Sequence, residues 1–287
     1  MSKYIIFTDS ACDIKPEVLA EWGVRSLPLT FRFNGDEREY SNNEMPIGEF
    51  YQKMREGAVA KTAAVNSESF RLAFLEEIEN GYDVLYLGFS SGLSTTFNSA
   101  RIAAQQINGE GEKKVTVIDT LSASAGFGML VYLAKEKKNE GASLSEVAEY
   151  ITSLVPRMCH WFTVDDLEYL KRGGRVSGVA AFVGNLLGIK PVLHVDNDGH
   201  LIKKDTVRGR KKAVITLADM YDKLAQTPSE GTVFISHADC LSDAETLAST
   251  IKQRHGVEVK IITDVGTVIG AHAGPGTLAL FFIGKER

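Results

Sequence analysis

The sequence predicts an α/β protein made of two α/β domains, the first on a mostly parallel sheet with flanking helices. Three observations predict it. From Lys3 to about residue 155, apolar runs of strand length alternate with segments whose apolar residues recur at helical spacing, the signature of strands joined by crossover helices. Near Pro156 the character changes: two alternating runs flank Asn197-Asp198-Gly199 as a hairpin before strand and helix alternate again. With 287 residues, 44% hydrophobic and 24% charged, the chain is long enough for two such units. The expected division is 1–156 and 157–287.

Each element has a local reason. Lys3 to Thr8 reads as a buried strand ending in the polar turn Thr8-Asp9-Ser10-Ala11-Cys12-Asp13, of the kind found at the carboxyl edge of a parallel sheet. Pro16 suits the first turn of a short helix that Gly23 ends, and a strand follows over Val24–Leu29. Phe31 to Tyr40 alternates about Asn34-Gly35, which predicts a type I′ hairpin. A helix from Pro46 carries Ile47, Phe50, Tyr51 and Met54 on one face and stops at Gly57. Lys61 to Ser67 is small and polar, a predicted loop, with Asn66 or Ser67 capping a helix that runs to Asn80.

Val84 to Ile107 organises the first half. It begins as a continuous apolar strand and ends as a helix with Phe97, Ala100, Ala104 and Ile107 in register. Between them lie Ser90, Ser91, Gly92, Ser94, Thr95 and Thr96. A helix start leaves backbone N–H groups unpaired and partly positive. Ringed with hydroxyls it becomes a seat for a carboxylate or phosphate. Ser and Thr in this position ordinarily act only as caps, but this cluster exceeds what one cap needs. A strand over Val115–Asp119 and a capping box over Ser143–Glu146 complete the half.

Past residue 156 the pattern predicts strands at Cys159–Val164, Pro191–Val195, Leu201–Val207, Thr232–Ser236, Glu258–Thr263 and Thr277–Ile283. Helices are expected at Asp165–Lys171, Lys211–Leu224 and Leu241–His255. The most apolar window, Val179–Val195, is broken by Gly184, Asn185, Gly188, Lys190 and Pro191, so it does not read as a bilayer span.

Bulk properties narrow the function. A formal net charge of −5 argues against a nucleic-acid binder. Cys12, Cys159 and Cys240 are widely spaced with no CxxC, pointing to a reducing compartment without a disulfide framework or zinc site. No signal-peptide core follows the start, and the expected location is the cytoplasm. The histidines lack metal-ligand spacing, no metal is expected, and neither a P-loop nor an HExxH motif occurs. Gly126-Phe127-Gly128 begins like a dinucleotide fingerprint but lacks its third glycine.

Gly88-Phe89-Ser90-Ser91-Gly92 matches the G-x-S-x-G of a serine-hydrolase elbow between a strand and a helix. Asp239 or Asp264, with His272, would complete the chain order Ser, Asp, His. A hydrolase acting through Ser90 is therefore the alternative to a binding protein. His272 itself lies among Gly266, Gly270, Gly274 and Gly276, which permit close backbone approach to a ligand. Lys203, Lys204, Arg208, Arg210, Lys211 and Lys212 form a basic run, to which Lys171, Arg172 and Arg175 add. Such a run is a solvated face or a docking surface for an acidic or phosphate-bearing partner.

Taken together, Thr8-Asp9-Ser10, Ser90-Ser-Gly-Leu-Ser94, Asp166-Leu-Glu-Tyr-Leu-Lys-Arg-Gly-Gly-Arg-Val176, Ile189-Lys-Pro-Val192 with Gly199 and Arg208, and Gly270-Ala-His-Ala-Gly-Pro-Gly276 resemble the DegV family of bacterial fatty-acid-binding proteins. The resemblance covers Tyr4 to about Ile283. It implies a DegV-like fold holding a long-chain fatty acid, such as palmitate or oleate, in a tunnel between two domains, with the tail beyond about residue 265 packing where they meet. It implies a binding protein rather than an enzyme, with no catalytic residues and no cofactor other than the bound lipid. Carried over by position, the carboxylate ligands are Thr62, Ser94 and His272, with Thr95 beside them and Asp9 and Ser10 behind. Two positions depart from the family pattern. Thr62-Ala-Ala-Val-Asn66 stands where many relatives have Thr-Ser-Gln-Pro-Ser, and Thr95 stands in place of a usual Gly. Apolar residues of 178–193 are the expected tunnel lining. In some relatives the bound acid is presented to a separate fatty acid kinase, and Arg172, Arg175 and Arg208 are the expected docking residues for such a partner.

Overall fold

The structure, a computed structural model, describes residues 3–109, 111–177 and 188–287. The first half follows the alternating pattern. β1 (Tyr4–Asp9) leads through a single 3-10 turn to α1 (Pro16–Glu21), with Pro16 in its first turn, and then to β2 (Val24–Leu27). β3 (Thr30–Phe33), β4 (Tyr40–Ser41), α2 (Ile47–Arg55) and β5 (Ala60–Ala63) form an outlying unit. Then come α3 (Ser67–Glu79), β6 (Asp83–Gly88), α4 (Thr96–Asn108), β7 (Val115–Asp119), α5 (Ser124–Asn139) and α6 (Leu144–Leu154). Asn66 caps α3 by accepting from Ser69 N at 2.9 Å, and the Ser143–Glu146 capping box opens α6. The sheet order is β2-β1-β6-β7, all parallel. The chain leaves β1 for β2 on one side and returns to β6 on the other. A crevice therefore opens between the carboxyl ends of β1 and β6, where open α/β sheets bind ligands.

The second half comprises β8 (Met158–Thr163), α7 (Glu168–Gly173), β9 (Val176–Ser177), β10 (Ile189–Val195), β11 (Leu201–Arg208) and α8 (Arg210–Leu224). It ends with β12 (Val233–His237), α9 (Leu241–His255), β13 (Ile261–Asp264), α10 (Thr267–Ala273) and β14 (Leu278–Ile283). These strands make a mixed seven-stranded sheet in the order β13-β12-β14-β8-β10-β11-β9, with β14 antiparallel to both of its neighbours. The two-residue repeat of a strand sends successive side chains of β14 to opposite faces. Leu278, Leu280 and Phe282 join a core with Leu217 of α8 and Leu247 of α9, while Ala279 and Phe281 face the core shared with the parallel sheet.

α5 lies between the two sheets. Ser124 through Val131 are all buried, so this helix has no solvent face over its first half. Gly126 and Gly128 explain why it fits. A Cβ on Gly126 would meet Phe281 and His160 at 2.5–2.6 Å, and one on Gly128 would meet the Cys12 carbonyl oxygen at 2.6 Å. The Gly-Phe-Gly sequence lets a helix pack closely on both sides at once.

Two expectations are corrected, and one element is added. The segment read as a loop, Lys61–Ser67, begins as strand: β5 pairs with β3, with Thr62 opposite Phe31. The Asn34-Gly35 hairpin does not close at two residues. Phe31 pairs with Tyr40 and Thr30 with Ser41, and Asn34 N donates instead to Val59 O at 2.8 Å, because β5 takes the hydrogen-bonding edge of β3. The glycine-rich tail contains α10, a helix its composition hides. Of the expected lining at 178–193, residues 178–187 lie outside the described residues. In the rest, Val192 and Leu193 enter the two cores.

Candidate functional site: an internal cavity with a polar end

The crevice opens into a cavity of about 250 Å³. One wall is the α5-facing side of the seven-stranded sheet, with Phe162, Ala279 and Phe281. The other is made by Phe89 and Leu93 of the hydroxyl turn and by Val268 and Ile269 of α10. The lining is predominantly apolar. Thr62, Ser94, Thr95 and His272 all reach it, from three separate stretches of chain: β5, the turn after β6 and α10.

The turn is fixed from below. Asp9, at the carboxyl end of β1, accepts from Phe89 N at 3.1 Å and Tyr86 Oη at 2.7 Å with one carboxylate oxygen, and from Ala11 N at 3.1 Å with the other. It thus ties β1 to the end of β6 across the crevice. Its burial drives its pKa up to about 6, against the pull of these same hydrogen bonds. Ser10 Oγ accepts from Leu29 N at 2.9 Å, holding a second lining residue. Asp9 and Ser10 do not themselves line the cavity; they position residues that do.

Within the turn the hydroxyls divide their work. Ser90 is fully buried; it donates to Gly199 O at 2.9 Å and accepts from Gly92 N at 3.2 Å. Ser94 Oγ accepts from Thr96 N at 3.2 Å and lies 2.9 Å from Thr96 Oγ1, capping α4 while facing the cavity. Thr95, at the N-cap position, makes no side-chain cap bond and is exposed, so its hydroxyl is not spent on the helix. Opposite, Thr62 Oγ1 and His272 Nε2 are 2.9 Å apart. Gly173 closes over the other face of the imidazole, where a Cβ would stand 2.3 Å from His272 Nδ1. Burial, with the nearby Arg175 charge, lowers the His272 pKa to about 4, so the ring is neutral at physiological pH. The polar end of the cavity therefore offers neutral hydroxyls, a neutral imidazole and a helix start.

The hydrolase constellation is not assembled. Ser90 is bonded to backbone groups and not to His272, Asp239 pairs with Arg55, and Asp264 lies 3.9 Å from His237. Ser90 instead fastens the hydroxyl turn to the β10–β11 hairpin.

The three arginines separate. Arg172 is exposed, over the Tyr169 ring at 5.4 Å. Arg175 lines the cavity, donating from Nε to Leu93 O at 3.3 Å and from Nη1 to Gly173 O at 2.5 Å. Arg208 is exposed at the far end of β11, whose first residue, Leu201, pairs with Val176 beside Arg175. That places it roughly 20 Å away along an extended strand. Arg210 is engaged with Asp243 at 2.8 Å and Asp165 at 3.5 Å.

Several site residues carried no sequence signal. Asn42 donates to Ser10 O at 3.0 Å and accepts from Thr267 Oγ1 and Val268 N at 2.9 Å, joining the β1 turn to the start of α10. It sits in an unremarkable polar loop. Ser124, His160 and Ser236 line the inner cavity, and only the fold brings them there. Among the described residues no group of His, Cys, Asp and Glu is arranged to hold a metal ion, and no helix is long and apolar enough to cross a membrane.

A crevice at a topological switch point, deepened into an apolar cavity with hydroxyls at one end, defines a protein built to enclose an amphipathic ligand. Comparison with known proteins gives the family. A family model described as "Uncharacterised protein, DegV family" matches residues 3–285, and the chain belongs to that family. It is 42% identical to a DegV domain-containing protein of Clostridium perfringens, over 100% of this chain and 99% of that one. It is 36% identical to a protein of Thermotoga maritima named fatty acid-binding protein, over 99% of both. A solved DegV family protein of Thermus thermophilus, described by its fatty acid binding, superposes with a TM-score of 0.89 at 33% identity, over 98% of this chain and 99% of that one.

Proposed function

We propose that this protein binds a long-chain fatty acid, with the acyl chain in the cavity and the carboxylate at the hydroxyl turn, and serves lipid transport or fatty acid metabolism as a carrier and not as a catalyst. The observation that carries the reading is the convergence of Thr62, Ser94, Thr95 and His272 on one predominantly apolar cavity. A carboxylate in such a place must be hydrogen-bonded, since an unpaired buried charge is costly. Hydroxyls and the N-terminus of α4 supply donors, and the Arg175 guanidinium stands beside them. Each buried methylene contributes about 0.8 kcal/mol. A sixteen-carbon chain gains on the order of 10 kcal/mol before the losses of association are subtracted. Palmitate and oleate are the expected class of ligand, and the names of the Thermotoga and Thermus relatives support it.

The same reading takes residues 1–156 and 157–287 as two domains with the ligand between them, in a cytoplasmic protein. It also takes Arg172, with Arg175 at the cavity and Arg208 further off, as the face that meets a fatty acid kinase acting on the exposed carboxylate. Native mass spectrometry of the purified chain tests the binding claim. The expected result is a co-purifying mass matching a C14–C18 fatty acid, absent from a Thr62→Ala/Ser94→Ala variant. A protein that is empty and takes up neither palmitate nor oleate overturns it. For the docking claim, Arg172→Glu is expected to keep the lipid mass and abolish phosphorylation by a cognate kinase; unimpaired turnover contradicts it.

A further inference from the structure

The chain holds three Asn-Gly steps: Asn34-Gly35, Asn80-Gly81 and Asn108-Gly109. Each sets a side-chain amide carbon beside the backbone nitrogen of a residue with no Cβ to hinder approach. A backbone nitrogen free of other bonds can attack that carbon and expel ammonia, one source of the thermal lability of Asn. The structure separates the three steps by what their glycine nitrogens are doing.

Asn80 is the C-cap of α3, and Gly81 N donates to Ile78 O at 2.9 Å. Asn108 ends α4, and Gly109 N donates to Gln105 O at 3.1 Å. The Asn108 amide is tied down as well. Its Nδ2 donates to Val115 O at 2.8 Å, and its Oδ1 accepts from Lys114 N at 2.9 Å and from Val115 N at 3.0 Å. At both steps the attacking nitrogen must first leave its carbonyl, which takes a local opening of the helix end. Asn34-Gly35 differs. Both residues are exposed. The bonds around them pass over the reacting groups: Asn34 N donates to Val59 O at 2.8 Å and Asp36 N to Phe33 O at 3.1 Å. Among the described residues, Gly35 N and the Asn34 side-chain amide have no hydrogen-bond partner. Gly35 has φ of 85°, and a Cβ there would meet nothing within 4 Å, so the turn has room for a ring.

We propose that Asn34 is a site of spontaneous modification, converted through a cyclic imide to aspartate and isoaspartate, and that the folded structure shields Asn80 and Asn108 from the same reaction. Gly35 N gives its proton to a solvent base and bonds to Asn34 Cγ. The Cγ–Nδ2 bond breaks, and the amide nitrogen takes up a proton and leaves as ammonia. Water then opens the ring. Attack at Cγ restores the ordinary main chain and leaves aspartate. Attack at the main-chain carbonyl carbon leaves isoaspartate, in which the chain runs through Cβ and Cγ. The net exchange is water for ammonia, with no oxidation or reduction. Isoaspartate lengthens the main chain beside the Asn34 N–Val59 O bond, next to the β3–β5 pairing that sets Thr62 opposite Phe31. The proposal stands independently of the fatty-acid reading.

The test incubates the purified full chain at mildly alkaline pH in heavy-oxygen water, so that each converted residue carries a solvent oxygen, and follows the three steps by peptide mass spectrometry. Asn34 is expected to convert at least about fivefold faster than Asn80 or Asn108, the factor that one net hydrogen bond supplies. In urea, where the native bonds are gone, the three rates should converge. Asn34→Gln, which can close only a larger and slower ring, should remove the label from this turn and keep the thermal transition. Native Asn34 converting no faster than the other two overturns the proposal. So does the native ranking persisting unchanged in urea, since it would then owe nothing to the fold.

Discussion

Asp9 and Asp13 stand four residues apart, and their environments give them different work. Asp9 accepts three hydrogen bonds that pin the start of the hydroxyl turn. Asp13 faces a serine hydroxyl and is raised further, from 3.8 to about 8. A buried acid whose folded pKa exceeds its unfolded one stabilises the fold fully below the unfolded value. That contribution is lost as pH rises through the folded value. Asp13→Asn removes this dependence. The melting temperature of the natural chain, relative to Asp13→Asn, should decline as pH rises from about 4 to about 8, the window its pKa shift defines. Differential scanning fluorimetry across that range measures it, and a pH-independent difference contradicts the burial account. At this scale the sequence was partly legible. Ser94 and His272 lay in conspicuous hydroxyl and glycine clusters, and the family resemblance pointed to Thr62. Asn42, Ser124, His160 and Ser236 were silent, because each gains its role from partners that lie far off in the chain.

Among the elements, the long periodic ones were readable. α3, α9 and the β10–β11 hairpin fall close to where spacing and turn residues put them, because their local preferences agree with their burial. α10 and β5 were not. α10 has seven residues and two glycines beside it, and it is held by tertiary bonds: Asn42 to its first turn, and Tyr51 Oη donating to Val265 O at 2.6 Å just before it. β5 reads as a loop because its strand character comes from pairing with β3 and not from β-branched composition. The contact between the hydroxyl turn and the β10–β11 hairpin is also a property of elements. Gly199 has φ of 79°, and a Cβ there would stand 2.2 Å from Ser90 Oγ. Gly199→Ala must strain the turn or break the Ser90 bond. It should cost about 1–3 kcal/mol, read from the urea midpoint. A variant as stable as the natural chain would mean the hairpin does not clamp the turn.

For the molecule as a whole, two sheets share one helix. The parallel sheet supplies a crevice at its switch point, the seven-stranded sheet supplies an apolar wall, and α5 fits between them through Gly126 and Gly128. The α/β class and the change of character near Pro156 were visible in the alternation of strand and helix patterns. The cavity was not, since its volume depends on how two cores leave space between them and no periodicity encodes that. The architecture gathers Thr62, Ser94, Thr95, Arg175 and His272 on the lining of a cavity whose remaining walls are predominantly apolar; on the reading proposed above, those groups seat the acid and the apolar walls hold its chain. The most direct test is the crystal structure of the delipidated protein soaked with palmitate. The account predicts the carboxylate within hydrogen-bond reach of Ser94 Oγ and of the Thr62–His272 pair, with the chain running along β14 past Ala279 toward Phe281. Palmitate bound elsewhere, or with its carboxylate buried beside His160 and its tail at the hydroxyl turn, would contradict it.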